Sequence, residues 1–184
     1  MASPCPTIET ERLLLRPFRD SDLEAYTAVL TTDEVRASLS LPDDIGPDEA
    51  WAQMAVFLGQ WELRGTGQWA LEEKTTGAFV GRAGLHNPVR HGWPGTEVGW
   101  TLHPDHWGKG YATEAGARSR DYAFEELEMD RLFSLIQPHN DRSAAVARRL
   151  GFELTDTRII EFFPSAPHGV WELSRDAWQR DQLG

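Results

Sequence analysis

The chain has 184 residues, 40% of them hydrophobic, and a formal net charge of −11 at pH 7. This length suits one ordinary domain with a sizeable core and is short for two, so we expect residues 1–184 to form a single domain. A strongly negative field repels phosphate backbones. The charge therefore argues against a general nucleic-acid-binding role and favours cationic small molecules or basic peptides as partners.

Cysteine and histidine usage limits the chemistry further. The one cysteine, Cys5, lies near an N-terminus that we expect to be mobile, so neither an internal disulfide nor a cysteine metal cluster is expected. The spacing of the six histidines gives no metal pattern, and we predict no metal site. No apolar run approaches the roughly 18 residues of a membrane span, and residues 1–7 lack a signal-peptide pattern. We therefore expect a cytoplasmic protein without a membrane partner.

The first half of the chain predicts a strand, two helices and three more strands. Residues 10–17 have the composition of a strand, and residues 20–30 have the caps and apolar spacing of a helix. A second helix is predicted to begin at Pro47, with Trp51 and Trp61 in the core. The next three strands, which should form an antiparallel meander, are predicted over residues 68–72, 78–85 and 96–102.

The second half predicts alternating helices and strands. A helix over 111–127 is followed by a strand over 131–136 and by a short helix over 143–150, which Asn140 can cap. The chain ends in two strands, the first beginning at Phe152. This order implies an α/β (mixed α+β) fold, with a mixed sheet that has helices on its faces.

The segment 96–115 predicts a strand, a tight glycine-containing turn and a helix. Gly108, Gly110 and Ala112 place small side chains where the backbone can approach a ligand, and the beginning of the helix presents unpaired N–H groups. The pattern predicts an anion-binding cradle, although a turn that simply begins a helix has the same signature. The Gly-Lys-Ser/Thr ending of a triphosphate loop and the third glycine of a dinucleotide fingerprint are absent, which argues against both classes.

Motifs along nearly the whole chain resemble one family. Besides the turn, they are Thr10-Glu11-Arg12-Leu13-Leu14-Leu15-Arg16, Glu97-Val98-Gly99-Trp100, Asn140-Asp141-Arg142-Ser143, Arg149-Leu150-Gly151-Phe152 and Val170-Trp171-Glu172-Leu173. In this order they are similar to the GNAT family of N-acetyltransferases, and in particular to its ribosomal-protein alanine acetyltransferases. The resemblance implies a central, mostly antiparallel sheet of about seven strands, helices on both faces, and a splayed slot between the fourth and fifth strands.

The resemblance also implies an activity. A member of this family transfers an acetyl group from acetyl-CoA, as co-substrate, to a primary amine by direct attack in a ternary complex. The acceptor would be a protein N-terminal α-amine or a small-molecule amine, and an antibiotic or a polyamine is an alternative. A module that binds acyl-CoA without turnover is a further alternative from another class, and a homodimer is compatible with the sequence.

By the same resemblance, backbone groups bind acetyl-CoA. The amides of residues 108–113 would hold the pyrophosphate, residues 100–102 would pair with the pantetheine arm, and residues 140 and 143 would lie near the thioester. The complete expected set is Trp100, Thr101, Leu102, Trp107, Gly108, Lys109, Gly110, Tyr111, Ala112, Thr113, Asn140 and Ser143.

The catalytic groups follow from the resemblance as well. Glu97 is the first candidate for the general base, with an exposed strand carboxylate as the alternative interpretation, and Asp156 and Glu161 are weaker candidates. The tyrosine that protonates the leaving thiolate in many relatives is replaced by Ala147, so Ser143 or a water would supply that proton. The acceptor pocket is expected in the loops over 41–47, 86–96 and 162–169.

Overall fold

One mixed sheet runs through the computed structural model, which describes residues 5–161 and 163–183. Its strands within those residues are β1 (Ile8–Glu9), β2 (Leu13–Arg16), β3 (Gln68–Glu73), β4 (Phe79–His86), β5 (Glu97–Leu102), β6 (Arg131–Ile136), β7 (Glu153–Ile160) and β8 (Phe163–Ser174). They are ordered β1-β2-β3-β4-β5-β6-β8-β7, and neighbours pair antiparallel except β5 and β6, which are parallel. The expected mixed, mostly antiparallel sheet is confirmed, with eight described strands instead of about seven.

Helices cover both faces of the sheet, as expected. They are α1 (Leu23–Leu30), α2 (Asp33–Leu39), α3 (Pro47–Arg64), α4 (Tyr111–Glu125), α5 (Asp141–Arg149) and α6 (Arg175–Leu183). Ala70 and Leu71 are neighbours in β3, so their side chains point to opposite faces. Ala70 packs in a cluster with Tyr26 and Phe57 from α1 and α3, whereas Leu71 packs in a cluster with Tyr111 of α4. No helix in the described residues is both long and apolar enough to cross a bilayer.

Three of these elements lie where the sequence predicts none. Strand β1 is two residues long, which is too short for an alternation pattern to be read. Helix α2 buries only Val35, so it has almost no apolar periodicity. Helix α6 docks through Trp178, whose ring stacks on Phe124 with centroids 5.1 Å apart. That contact depends on the tertiary structure and not on a local pattern.

Two predictions about single residues are wrong. Trp51 is 56% exposed, because the buried face of α3 follows Met54, Phe57 and Trp61, and Trp51 lies to one side of that face. Trp61 is buried as predicted. Cys5 is not in a mobile terminus: it packs into a core cluster, and burial raises the pKa of its thiol to about 12. Its Sγ donates a weak hydrogen bond to the carbonyl of Pro6 over 3.8 Å.

Candidate active site

Strands β5 and β6 separate soon after they meet. In residues 5–161 and 163–183 their one registered pair is Glu97 with Phe133, and the N–H of Phe133 donates to the carbonyl of Thr96 over 3.0 Å. The next donor on β6, the N–H of Leu135, bonds to the carboxylate of Glu97 at 3.4 Å instead of to the β5 backbone. The ladder ends there. The slot that was expected between the fourth and fifth predicted strands is confirmed.

The edge of β5 that faces the slot offers backbone groups to a ligand. Because the backbone of Thr96 faces β6, alternation along the strand gives Trp100 and Leu102 the same direction, while Thr101 faces its partner on β4. The carbonyl of Leu102 already accepts a hydrogen bond from the indole Nε1 of Trp107 at 2.9 Å. Among the groups that face the slot on this edge are the N–H and C=O of Trp100 and the N–H of Leu102.

The glycine-containing turn lies at the exposed beginning of α4. Gly108 and Gly110 have φ angles of 75° and 83°, in the left-handed region that favours glycine. The first helical hydrogen bond runs from the N–H of Glu114 to the carbonyl of Gly110 over 3.0 Å, so the amides of residues 111–113 precede it and have no helical acceptor. Residues 108–110 are exposed. An anion can therefore reach these amides from solvent.

A side-chain network from the segment between β1 and β2 holds this turn. Nη1 of Arg12 donates to the carbonyl of Lys109 over 2.7 Å, and its Nε donates to Glu114 over 2.7 Å. The hydroxyl of Thr10 donates to the other oxygen of Glu114 over 2.6 Å, and the Arg12 guanidinium lies 4.7 Å from the ring centre of Tyr111. The network holds the turn through a carbonyl oxygen, so it consumes none of the amide donors. Nothing in the sequence motif around Arg12 indicates this contact.

A cavity of about 370 Å³ lies beside the slot. Its walls come from α2, α3, strands β3 to β6, strand β8, the loop after β4 and the beginning of α5. All three segments expected to form the acceptor pocket contribute side chains to it, which are Leu41, His86, Arg90, Trp93 and His168. The third segment was expected to be a loop, which is wrong, because its described residues belong to strand β8 and pair with β7. Phe162, at the beginning of the third expected loop, lies outside the described residues.

Glu97 lines this cavity, and its carboxyl group has a raised pKa. Burial raises the pKa of its carboxyl from 4.5 to about 7, and the N–H of Leu135 and the charges of Arg82 and Arg90 offset only part of the increase. The interpretation as an ordinary exposed carboxylate therefore does not hold for Glu97. A carboxyl group with this pKa can exchange protons near neutral pH.

Asn140 and Ser143 also line the cavity, at the beginning of α5. Oδ1 of Asn140 accepts a hydrogen bond from the backbone N–H of Ser143 at 3.1 Å, which confirms the predicted helix cap. Ala147 is fully buried. The weaker candidates for the base, Asp156 and Glu161, are exposed, and they are not among the described residues that line the cavity.

Arg82 and Gln68 are cavity residues that the sequence patterns do not reveal. Nη1 of Arg82 donates to Oε1 of Gln68 over 2.9 Å, across the neighbouring strands β4 and β3. The residue before Arg82 packs closely against β5, since a Cβ at Gly81 would lie 2.3 Å from the carbonyl oxygen of Thr101. The available signal is a charged residue in the middle of an otherwise apolar strand.

Known proteins share both sequence and fold with this chain. Residues 12–153 match the model of the acetyltransferase (GNAT) domain family. The solved acetyltransferase from Agrobacterium tumefaciens str. C58 is 34% identical with a TM-score of 0.79, over 91% of this chain and 94% of that one. The FsC-acetyl coenzyme A-N(2)-transacetylase of Aspergillus fumigatus is 30% identical, over 96% of this chain and 80% of that protein.

A more distant structure shares the fold alone. The spermidine N-acetyltransferase from Vibrio cholerae, solved in complex with CoA and spermine, is 17% identical and has a TM-score of 0.73, over 92% of this chain and 99% of that one. The separated β5 and β6 strands and the exposed turn before α4 agree with these matches. The chain belongs to the GNAT family and is an acetyl-CoA-dependent N-acetyltransferase.

Proposed function

We propose that the chain binds acetyl-CoA in the β5–β6 slot and transfers its acetyl group directly to a primary amine held in the adjacent cavity. The observation that carries this proposal is Glu97, a carboxyl group beside the slot whose pKa is about 7. At neutral pH such a group is partly ionised and basic enough to take a proton. Residues 1–184 act in this proposal as one domain, which the continuous sheet supports.

The slot and the turn fit the chemistry of acetyl-CoA. The amides of residues 108–113 would hold the diphosphate, and the open edge groups of Trp100 and Leu102 would pair with the pantetheine arm as an added strand does. Trp107 would support the end of β5 through its bond to Leu102, and Lys109 would add a positive charge beside the diphosphate. The exposed turn and the unpaired strand edge support this assignment.

The pKa of the acceptor amine determines how much free energy its deprotonation costs, and an amine attacks a thioester only when it is neutral. A lysine amine with a pKa of about 10.4 needs roughly 4.6 kcal/mol to be neutral at pH 7, whereas an α-amine with a pKa of about 7.7 to 8.0 needs only about 1 to 1.4 kcal/mol. An α-amine with a pKa in this range is therefore an easier acceptor than a lysine side chain. Two relatives have names that place the acetyl group on a nitrogen atom. They are the N(2)-transacetylase and the spermidine N-acetyltransferase.

Different groups of the site would accept the proton of the amine, polarise the thioester carbonyl and protonate the leaving thiolate. Glu97 takes the proton from the nitrogen, directly or through a water, as the N–C bond forms. An N–H of the open β5 edge polarises the thioester carbonyl. As the C–S bond breaks, the thiolate would take a proton from water, either directly or through the hydroxyl of Ser143, which would relay a solvent proton and so end the step protonated. A free thiol has a pKa of about 8.5, so this departure needs little help.

Homodimer formation and a cytoplasmic location stay predictions.

The assay that tests this proposal measures release of free thiol from acetyl-CoA in the presence of amines. The Glu97→Gln variant should lose roughly 10²- to 10⁴-fold in kcat and should also lose the rise in rate through pH 7. Asp156→Asn is the matched control, since it removes an exposed carboxylate outside the cavity and should leave both unchanged. Wild-type rate and pH profile in Glu97→Gln would remove Glu97 as the base. Tight binding of acetyl-CoA without thiol release with any amine would favour a non-catalytic module.

A further inference from the structure

The charge inside the cavity is opposite to the charge of the whole chain. Arg82 and Arg90 line it, and Glu97 is the one carboxylate among the described lining residues. His86 adds no charge at neutral pH, because burial and the two arginines lower the pKa of its imidazole to about 3. The chain carries a net charge of −11, but its acceptor cavity is positive when Glu97 is protonated and still slightly positive when it is ionised.

Arg82 is held in place by neutral partners. Its Nε donates to the hydroxyl oxygen of Tyr26 over 2.9 Å, and its Nη1 donates to Oε1 of Gln68 over 2.9 Å. The Tyr26 hydroxyl in turn donates to Gln53 over 2.7 Å, and the ring of Phe57 lies 5.2 Å from the guanidinium carbon. These contacts fix the orientation of the guanidinium without compensating its charge.

One end of this guanidinium is left for a ligand. Within the part of the chain that the structure describes, neither a hydrogen bond nor an ion pair engages Nη2 of Arg82. An arginine side chain stays protonated at any physiological pH, and a partly buried charge is stable when an opposite charge pairs with it. The cavity therefore presents a positioned donor for an oxyanion, a few residues along the sheet from Glu97.

Arg90 is the second positively charged residue that lines the cavity. Its guanidinium lies 5.2 Å from the ring centre of Trp93, and both side chains belong to the loop after β4. Burial lowers the pKa of Arg90, and the charge of Glu97 acts against this. Both arginines thus act electrostatically on the same carboxylate.

We propose that the acceptor is an amino acid, whose carboxylate binds Arg82 with Arg90 alongside, while its α-amine faces Glu97. This rests on the proposed function of the cavity. A polyamine fits poorly, because its second ammonium would meet two guanidiniums and the one carboxylate is required as the base. The remaining walls include Leu39, Leu41 and Val56, which suit an apolar side chain such as that of leucine.

The experiment compares acceptors that differ only in the carboxylate. The wild-type kcat/KM for L-leucine should exceed that for L-leucinamide by about tenfold or more, as expected for a charge-assisted hydrogen bond. The α-amine of L-leucinamide has a lower pKa than that of L-leucine, so more of it is neutral at a given pH. A preference for L-leucine therefore cannot come from the acidity of the amine. Spermidine should be a poorer acceptor than leucine.

Variants assign the preference to a residue. Arg82→Gln should bring the leucine-to-leucinamide ratio close to one while turnover of leucinamide persists, which separates lost recognition from a misfolded site. Arg82→Lys should restore part of the ratio, and Arg158→Gln, on exposed β7, should leave it unchanged. Equal or better use of leucinamide or spermidine by the wild type, or an unchanged ratio in Arg82→Gln, would overturn this inference. Absence of thiol release with every amine would instead reject the proposed function.

Discussion

At the scale of single residues, Glu97 is costly to ionise in the folded chain. Its carboxyl has a pKa of about 7 when folded and an ordinary value of 4.5. Between those two pH values the folded state binds more protons than the unfolded state, so stability falls as pH rises. A pKa difference of this size corresponds to roughly 3 kcal/mol once both states are ionised. Such a cost is common where a group is kept for catalysis and not for stability.

The Glu97→Gln variant tests this cost, because it keeps the shape of the side chain and removes its titration. Relative to the wild type, the variant should gain free energy of unfolding as the pH rises from 5 to 8, by up to roughly 3 kcal/mol. Urea denaturation at both pH values measures the difference. Asp156→Asn, which changes an exposed carboxylate, should show no comparable gain. A difference between Glu97→Gln and the wild type that is the same at both pH values would contradict the raised pKa.

At the scale of elements, the beginning of α4 depends on a contact from a distant part of the chain. Arg12 binds the carbonyl of Lys109 and the carboxylate of Glu114, and it thereby fixes a turn whose two glycines would otherwise be flexible. A turn that is already in its binding conformation loses less entropy when it takes an anion. We therefore propose that Arg12 is a positioning residue for the diphosphate.

Replacing Arg12 with alanine should weaken binding without changing the chemistry. We expect the KM for acetyl-CoA to rise roughly tenfold, the size of one charge-assisted hydrogen bond, with kcat within about twofold of the wild type. Steady-state kinetics at saturating amine separate the two parameters. Arg131→Ala is the control, since it removes an exposed arginine that pairs with Glu172 on the sheet. A fall in kcat at unchanged KM would contradict a role in binding.

The elements that could be predicted are those whose signal is local. The turn before α4 and the cap formed by Asn140 both follow from a few consecutive residues, and both are in the expected places. Glu97 is a candidate from the sequence because it stands in a recognisable motif. Arg82 could not be assigned to the site in advance, because it meets Gln68 and the cavity only through the pairing of strands.

At the scale of the whole molecule, the sheet consists of two parts that meet weakly. Strands β1 to β5 and strands β6 to β8 are joined in the described residues by the one registered pair of Glu97 and Phe133. Below the slot, the parts are held together by packing, since a core cluster contains Val98 of β5, Phe124 of α4 and Leu132 of β6. A ligand that pairs with the open edge of β5 would extend the sheet at the point where β5 and β6 separate. Because this edge exists only in the folded chain, the ligand would bind the folded state and not the unfolded state.

Acetyl-CoA at about one hundred times its Kd should therefore raise the free energy of unfolding by about 2.7 kcal/mol. Hydrogen exchange should locate the contact, with added protection at the amides of Trp100, Leu102 and residues 111–113. ADP is the control ligand. It carries a diphosphate without a pantetheine arm, so it should protect residues 111–113 and leave the β5 edge unprotected. If acetyl-CoA protected the turn but left Trp100 and Leu102 exchanging at their original rates, the arm would lie elsewhere, and the slot would not be its binding site.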